Sequence, residues 1–466
     1  MMKANRGYRG FGTRASALLG VALSCATPTL AAENFLLRLQ TFNDPVAVRS
    51  RYDVPPQGPA VGSTNLPDIV VTAIKNSPRI KAAKLNRKAA AKDVWAAKGQ
   101  FLPVISAQGS VTLTHNEYSL GATGRTDEGH LDRLGLSARM PLFVGGANVF
   151  GLAAAKEAEQ STISQVNSAT NTVVFSIVEA YLSAQRSRDA VALLSNNLAS
   201  FESIVVVAGQ QYKAGEASGT DVELAKSAVL KMQSELESAQ SRLKGEEATL
   251  RRLSNAIPPK VLASITDEPQ LPPTLEEAEK AAVRQNPDVQ SGYHDAAVSN
   301  FRAKATQGRN LPSVNLLADY SRYKQNYGSV SDGEEFSVKL QLDVPLLNVG
   351  VWSAYSAEKN RADAAQFEAD DLRQRMVQGL ETDWEELASL QSRLQNAQGI
   401  VAKLRSVETG ARGEFQAGLR SVSDVLRAKI ERIRAEIDAA NVKFERKRLR
   451  YKIYLTIGPS DLVATR

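Results

Sequence analysis

The chain has 466 residues, 43% of them hydrophobic and only 6% aromatic, with a formal net charge of +7 and a mean hydropathy of −0.25. That length exceeds one ordinary core, so two domains or an internally repeated one is expected. The positive balance does not mark a nucleic-acid surface, because Lys3, Arg6, Arg9 and Arg14 crowd the first fourteen residues and the rest is close to neutral. Three histidines (His115, His130, His294) show no metal-ligand spacing, and no Gly-x-x-x-x-Gly-Lys-Ser/Thr loop is present to cradle a phosphate. No enzyme, metal or cofactor is implied.

The four cations precede an apolar run from Ala15 to Ala26 and the small residues Ala31 and Ala32, the layout of a secretory signal peptide over residues 1–32. Cleavage near Ala31 or Ala32 removes Cys25, the only cysteine, so the exported chain has no thiol chemistry. Ala22-Leu23-Ser24-Cys25 departs from a lipoprotein acylation box, where Leu is expected in place of Ala22. No later run of 18 apolar residues exists, so no membrane-spanning helix is expected. Residues 33–65 read as a linker.

From residue 66 the chain repeats itself. Lys75-Asn76-Ser77-Pro78 recurs as Arg284-Gln285-Asn286-Pro287 and Leu102-Pro103 as Leu311-Pro312, both offset by 209. Pro141-Leu142-Phe143 with Gly146 recurs as Pro345-Leu346-Leu347 with Gly350, offset by 204. Tyr212-Lys213-Ala214-Gly215 with Asp221 recurs as Phe415-Gln416-Ala417-Gly418 with Asp424, offset by 203. Four anchors in one order define two copies, 66–255 and 275–458, joined by a proline-punctuated linker at 256–274 and followed by a tail at 459–466. The first copy is five residues longer between the second and third anchors, where a variable surface loop is expected.

Within each copy two strands precede two helices. Ile105, Ala107, Gly109, Val111 and Leu113 alternate with polar neighbours, as do Leu134, Leu136, Ala138 and Met140, giving a hairpin at about 104–143. Val314, Leu316, Ala318 and Tyr320, then Phe336, Val338, Leu340, Leu342 and Val344, give its counterpart at about 314–347. Strands of about 9–11 residues with one apolar face match the span of a membrane β-strand. Tyr118, Tyr320, Tyr323 and Tyr327 are placed to act as interfacial aromatics.

A proline-free stretch of 67 residues follows, Ala147 to Lys213, or about 100 Å of helix. Its partner runs from about 351 to 416. The shorter helices at about 219–255 and 422–457 keep 3-4 apolar spacing through Val222, Ala225, Val229, Met232 and Leu236, and through Leu426, Ile430, Ile433 and Ile437. Helices of that length and pattern wind on partners. The basic run Arg446-Lys447-Arg448-Leu449-Arg450 reads as cations complementing a helix C-terminus.

Four membrane strands cannot close a barrel, and open edges are not tolerated in lipid. The smallest closed barrels have eight strands, so the chain must oligomerise, and three copies give twelve. The Pro345-Leu346-Leu347-Asn348-Val349-Gly350 junction, the duplication and the two helical tips together resemble the TolC family of outer-membrane channels over about residues 66–458. The resemblance implies an α+β membrane protein: a homotrimer with a 12-stranded outer-membrane β-barrel continued by a periplasmic α-helical coiled-coil barrel. It implies a passive exit duct for type I secretion or multidrug efflux, powered by an inner-membrane ABC or RND-type pump through a periplasmic adaptor (membrane fusion protein), and no nucleic-acid partner.

The family gate maps onto Thr220 and Asp221 after the first tip, and onto Phe415, Arg420, Asp424 and Arg427 around the second. Phe415 lacks the hydroxyl that a gate Tyr would donate, and Arg427 stands where a second aspartate can occur. Glycine at each tip suits a helix C-terminus, and Thr220, Asp221 and Asp424 equally suit the start of the next helix. Adaptor contact is expected at Ala214 and Gly215 and at Ala417, Gly418 and Leu419. The reading from another class is an exported coiled-coil structural protein or adhesin with a soluble β head.

Overall fold

A computed structural model describes residues 65–120, 123–255, 262–263, 265, 268–326 and 331–458. The signal peptide with Cys25, residues 33–64, Tyr327 and the tail lie outside these residues, as does the side chain of Tyr118. Each copy contains two short helices, a hairpin and two long helices. The first copy holds α1 (Leu66–Asn76), α2 (Pro78–Gly99), β1 (Val104–Leu120), β2 (Thr123–Val144), α3 (Ala147–Lys213) and α4 (Gly219–Ser254). The second holds α5 (Leu275–Gln285), α6 (Pro287–Gly308), β3 (Ser313–Gln325), β4 (Ser331–Asp343), α7 (Val349–Gln416) and α8 (Val422–Ile457).

The strands form one antiparallel sheet in the order β1-β2-β3-β4. β2 pairs with β3 through Ser137 and Asp319, so the two copies join inside the sheet, and β1 and β4 are left as its edges. One face is apolar and open: Ile105, Val111 and Leu113 on β1, Leu134 and Leu136 on β2, and Phe336, Val338, Leu340 and Leu342 on β4 are all exposed. Leu316 faces Leu340, Ala318 faces Val338 and Tyr320 faces Phe336, so the apolar pairs stack into a continuous band. From Phe336 to Val344 this band runs about 27 Å along the strand, or about 20 Å upright once the strand is tilted by roughly 40°, close to the apolar height of a membrane barrel. The other face carries Arg133, Ser137, Arg139, Asp319, Ser321, Glu335, Ser337 and Lys339. Tyr320 lies on the apolar face as expected of an interfacial aromatic, but Tyr323 alternates onto the polar face and packs over Gly333.

The four short helices were not visible as periodic apolar stripes. Alanine supplies much of the buried face of α2, which consists of Ile80, Ala90, Val94 and Ala97, so hydrophobic contrast is low. The first repeat anchor marks a capped break between helices in each copy. Ser77 accepts from the Ile80 amide with Pro78 in the first turn, and Asn286 accepts from the Asp288 and Val289 amides with Pro287 in the first turn. Proline has no amide to lose there and a side-chain oxygen satisfies the orphan donors.

α3 is the central helix, lined by Val174, Ile177, Val178, Tyr181 and Ala184, which pack against Ile69, Val70 and Ala73 of α1, Leu250 of α4 and Tyr451 and Leu455 of α8. α5 makes a second core with Leu380 and Leu390 of α7 and Leu449 and Ile453 of α8. Contrary to expectation, α3 does contain an 18-residue window apolar enough to cross a membrane, at mean hydropathy 1.6. Polar residues such as Ser and Asn interrupt it, which is why a search for unbroken apolar runs passes over it.

Two further expectations change. The extra length of the first copy is not a loop: β1 and β2 have 17 and 22 residues against 13 and 13 for β3 and β4, and they pair up to Leu120 and Thr123. Polar residues there, among them Glu117, Arg125, Asp127 and Glu128, occupy both alternations, which hides the strand from an apolar/polar pattern. The basic run does not sit in the last turn of α8, which ends at Ile457. Arg446 binds Glu268 at 2.8 Å, while Lys447 and Arg450 donate to the carbonyls of Ile265 and Pro269 at 2.8 Å each. Tyr181 donates to the Ala263 carbonyl at 2.5 Å. These contacts tie the linker between the copies to α3 and α8.

The strand-to-helix turn after β2 depends on Gly145. Its φ is +59° and an added Cβ would stand 1.9 Å from the Gly308 carbonyl oxygen. Gly145→Ala should destabilise the chain by about 3 kcal/mol, from left-handed strain plus displacement of α6. Gly146→Ala, whose Cβ meets only the Phe150 ring at 3.4 Å, should cost about 1 kcal/mol. Thermal unfolding followed by circular dichroism in detergent measures both, and equal losses would contradict the close approach.

Candidate functional site

The end of the molecule opposite the sheet is built from two helical turns, α3–α4 and α7–α8. In each, glycine takes a left-handed conformation just past the helix, with φ +79° at Gly215 and +74° at Gly418. The Glu216 amide reaches back to the Gln211 carbonyl and the Leu419 amide to the Glu414 carbonyl, each at 2.8 Å, closing the last turn. Nothing lies within 4 Å of a Cβ added at either glycine, so backbone conformation alone selects it.

The following helices start at serines that the sequence reading passed over. Ser218 accepts from the Asp221 amide at 3.2 Å, and the Asp221 carboxylate accepts from the Ser218 amide at 3.1 Å and hydroxyl at 2.7 Å. This is a reciprocal capping box. Ser421 caps α8 in the same way, accepting from the Asp424 amide at 3.4 Å and donating to its carboxylate at 3.0 Å. Both aspartates therefore have a local structural task.

The remaining gate candidates are distributed differently from the expectation. Phe415 is only 7% exposed and packs with Ala411, Val422 and Val425 of its own hairpin and Ala208 of α3, so it is a core residue and not a free gate aromatic. Tyr212, its counterpart in the first tip, is 55% exposed. Within one chain Arg420 pairs with Glu414 and not with Asp221. Thr220 and Arg427 are exposed, as are Ala214, Gly215, Ala417, Gly418 and Leu419, the last at 77%.

Above the tips lies a charge cluster that the 3-4 apolar pattern concealed. Lys429 of α8 is 2% exposed and donates to Ser200 of α3 at 2.7 Å and to Glu408 of α7 at 3.3 Å. Arg432 binds Glu408, and it also reaches Glu436 and Asn197 of α3 at 2.7 Å each. Arg405 closes the chain onto Glu436 at 2.8 Å. Lys429, Arg432 and Glu436 sit between the apolar positions Leu426, Ile430, Ile433 and Ile437, a spacing that could have revealed a polar layer in the coil. Burial pushes the Glu408 carboxyl up, but hydrogen bonds from Arg432 and the charge of Lys429 outweigh it and hold the group below its ordinary value. Burial lowers the Lys429 ammonium, and Glu408 opposes that shift. The cluster fastens the α7–α8 hairpin to α3.

Of the histidines, His294 meets Glu157 at 2.7 Å and His130 lies 3.7 Å from Asp132, and no group of metal-binding side chains occurs among the described residues.

The sequence matches the outer membrane efflux protein family over residues 69–256 and 280–458, most of both copies. The chain belongs to that family. It is 25% identical over 383 residues to the outer membrane efflux protein BepC of Brucella suis, covering 82% of each chain. Its fold matches that of VceC, an outer membrane protein of Vibrio cholerae, with a TM-score of 0.73 at 18% identity, covering 85% of this chain and 96% of that one. It likewise matches the Campylobacter jejuni CmeC outer membrane channel, with a TM-score of 0.74 at 16% identity, covering 84% and 85%. The protein is an outer-membrane channel of a Gram-negative bacterium that extends into the periplasm, which sets aside the soluble adhesin reading. The apolar face of the sheet is its lipid-facing surface.

Removing one partner from a buried charge cluster leaves the others uncompensated, so Glu408→Gln should destabilise the tip by about 3 kcal/mol. Because the folded Glu408 pKa is depressed, its contribution is complete above the unfolded value of about 4.3 and is lost as pH falls through the lower folded value. Hydrogen exchange around residues 404–412 should therefore show an acid-induced opening in the wild type that Glu408→Gln lacks. An identical acid profile in both would contradict this coupling.

Proposed function

We propose that three copies of this chain form the outer-membrane and trans-periplasmic exit duct of a tripartite export system. Substrate passes without energy input from the duct itself. An inner-membrane pump of the ABC or RND type supplies the energy, and a periplasmic adaptor docks on the tips. The observation that carries this reading is the open four-stranded sheet, with its exposed apolar face and its two unpaired edges, seated above helices about 100 Å long. The family description favours efflux of toxic small molecules over secretion of a large polypeptide.

Deleting the gene should sensitise the bacterium to dyes, detergents and lipophilic antibiotics, and plasmid-borne wild type should restore tolerance. A deletion strain with unchanged tolerance but a missing secreted protein would assign type I secretion instead. No effect on either would contradict the export role.

The tip is the gate in this proposal, with Thr220, Asp221, Arg420, Asp424 and Arg427 at or near its surface and Phe415 supporting it from the core. Asp221 and Arg420 meet only across hairpins or between copies, because each is otherwise engaged within its own tip. Arg420→Ala and Asp221→Ala should each raise single-channel conductance in a planar bilayer. Glu414→Gln, which frees Arg420 from its local partner, should leave conductance low. Wild-type conductance in both alanine variants would remove the gate assignment. The exposed Ala214-Gly215 and Ala417-Gly418-Leu419 turns are the proposed adaptor landing points.

A further inference from the structure

The sheet order β1-β2-β3-β4 is matched by the helices attached to it. α2 leads into β1, α3 leaves β2, α6 leads into β3 and α7 leaves β4. Neighbours pack in the same sequence, α2 on α3, α3 on α6 and α6 on α7. One side of the protomer therefore ends in β1 and α2, and the other in β4 and α7. Both outer helices leave a side open. On α2, Ala82, Leu85, Ala89, Lys92 and Ala96 are exposed at 3-4 spacing; on α7, Asn360, Ala364, Phe367 and Asp371 are exposed at the same spacing. At about 103° per residue, these stripes lie roughly 155° around from the buried stripes of Ala90, Val94 and Ala97 on α2 and Ala365, Ala369 and Leu372 on α7. Neighbours in a closed ring of twelve helices are about 150° apart, so the open stripes point where a thirteenth-to-first contact closes the ring.

The charges of the two sides are complementary. Between Arg79 and Lys98, α2 carries seven cations against the single acid Asp93, and none of these cations has an ion pair among the described residues. The open side of α7 carries Asp363, Glu368 and Asp371.

The duplication supplies the register. The contact of α3 with α6 inside one chain is the internal counterpart of α7 meeting α2 of the next copy. In it, the Ser161 and Ser291 hydroxyls lie 3.0 Å apart, and Ser168 donates to Asp288 at 2.5 Å. Carried forward by 203 and back by 209, the offsets of the repeat anchors, the first pair becomes Ala364 with Ala82 and the second becomes Asp371 with Arg79. A small-residue pair thus replaces one contact, and opposite charges replace the other.

We infer that α2 of one protomer receives α7 of a second copy along this seam, with Ala82 against Ala364 and Arg79 against Asp371. This deepens the trimeric reading above and rests on it. The seam is heterologous, so each copy uses α2 on one side and α7 on the other, and three such contacts close the ring. Asp371 already holds Arg375 at 2.6 Å on its own helix and remains 60% exposed, which leaves carboxylate surface for a second cation.

With Cys25 the only native cysteine, the exported Ala82→Cys/Ala364→Cys protein, oxidised in membranes, tests the register directly. A disulfide-linked trimer on a non-reducing gel, absent in either single variant, is the expected result. Arg79→Glu should lower the temperature at which the native oligomer falls apart on a semi-native gel, and adding Asp371→Lys should recover most of that loss. Protein that is trimeric by native mass but gives neither the crosslink nor the charge rescue would overturn the seam while leaving the duct intact. Protein that never trimerises would overturn the duct reading and the seam with it.

Discussion

The hydrogen-bonding groups along the outer edges of β1 and β4 are the constraint on which the rest of this molecule depends. In hydrocarbon an unpaired backbone amide or carbonyl costs several kcal/mol, and each edge presents a row of them. The sheet also exposes Ile105, Leu113, Phe336, Leu340 and similar residues that water would not tolerate in such number. A single chain satisfies neither requirement. Closure by further copies satisfies both, and it fixes how the helices below must be arranged, because each strand carries a helix at its periplasmic end.

Duplication is the economical route to that geometry. Two hairpins join through β2 and β3, and the same order continues into α2, α3, α6 and α7. The copies then diverge in task. α3 became the buried axis of the protomer, with Val174, Ile177 and Tyr181 fully enclosed, whereas α7 buries little between Leu380 and Phe415 and keeps a polar, open surface. The linker between copies is held by Arg446, Lys447, Arg450 and Tyr181, so the second copy is pinned to the first at mid-height. Nearer the tip, Glu408, Lys429 and Arg432 fasten the second hairpin to α3 in a layer where apolar packing would not be specific about register.

Much of this was legible in the sequence because the deciding signals are repeated. Alternation over Phe336–Val344 marks a two-faced strand, and the absence of proline from 147 to 213 marks one long helix. What stayed hidden has particular causes. α2 and α6 bury alanines and serines, which give little hydrophobic contrast, and their caps at Ser77 and Asn286 registered only as a repeated motif. The far ends of β1 and β2 are polar on both faces, so pairing without an apolar face was taken for a loop. At the tip, residue type alone could not show that Ser218 and Ser421 would be the caps, that Asp221 would be engaged by its own helix, or that Phe415 would turn inward. Those outcomes depend on where each helix begins to within one residue, which spacing does not resolve.

Closure is thus the claim from which the lipid-facing band, the helical ring and the tip gate all follow. Native mass spectrometry of the detergent-extracted, full-length exported protein tests it most directly. A single species of three chains, with no stable monomer or dimer, is the result this account requires. A folded monomer or dimer that retains its sheet would contradict it.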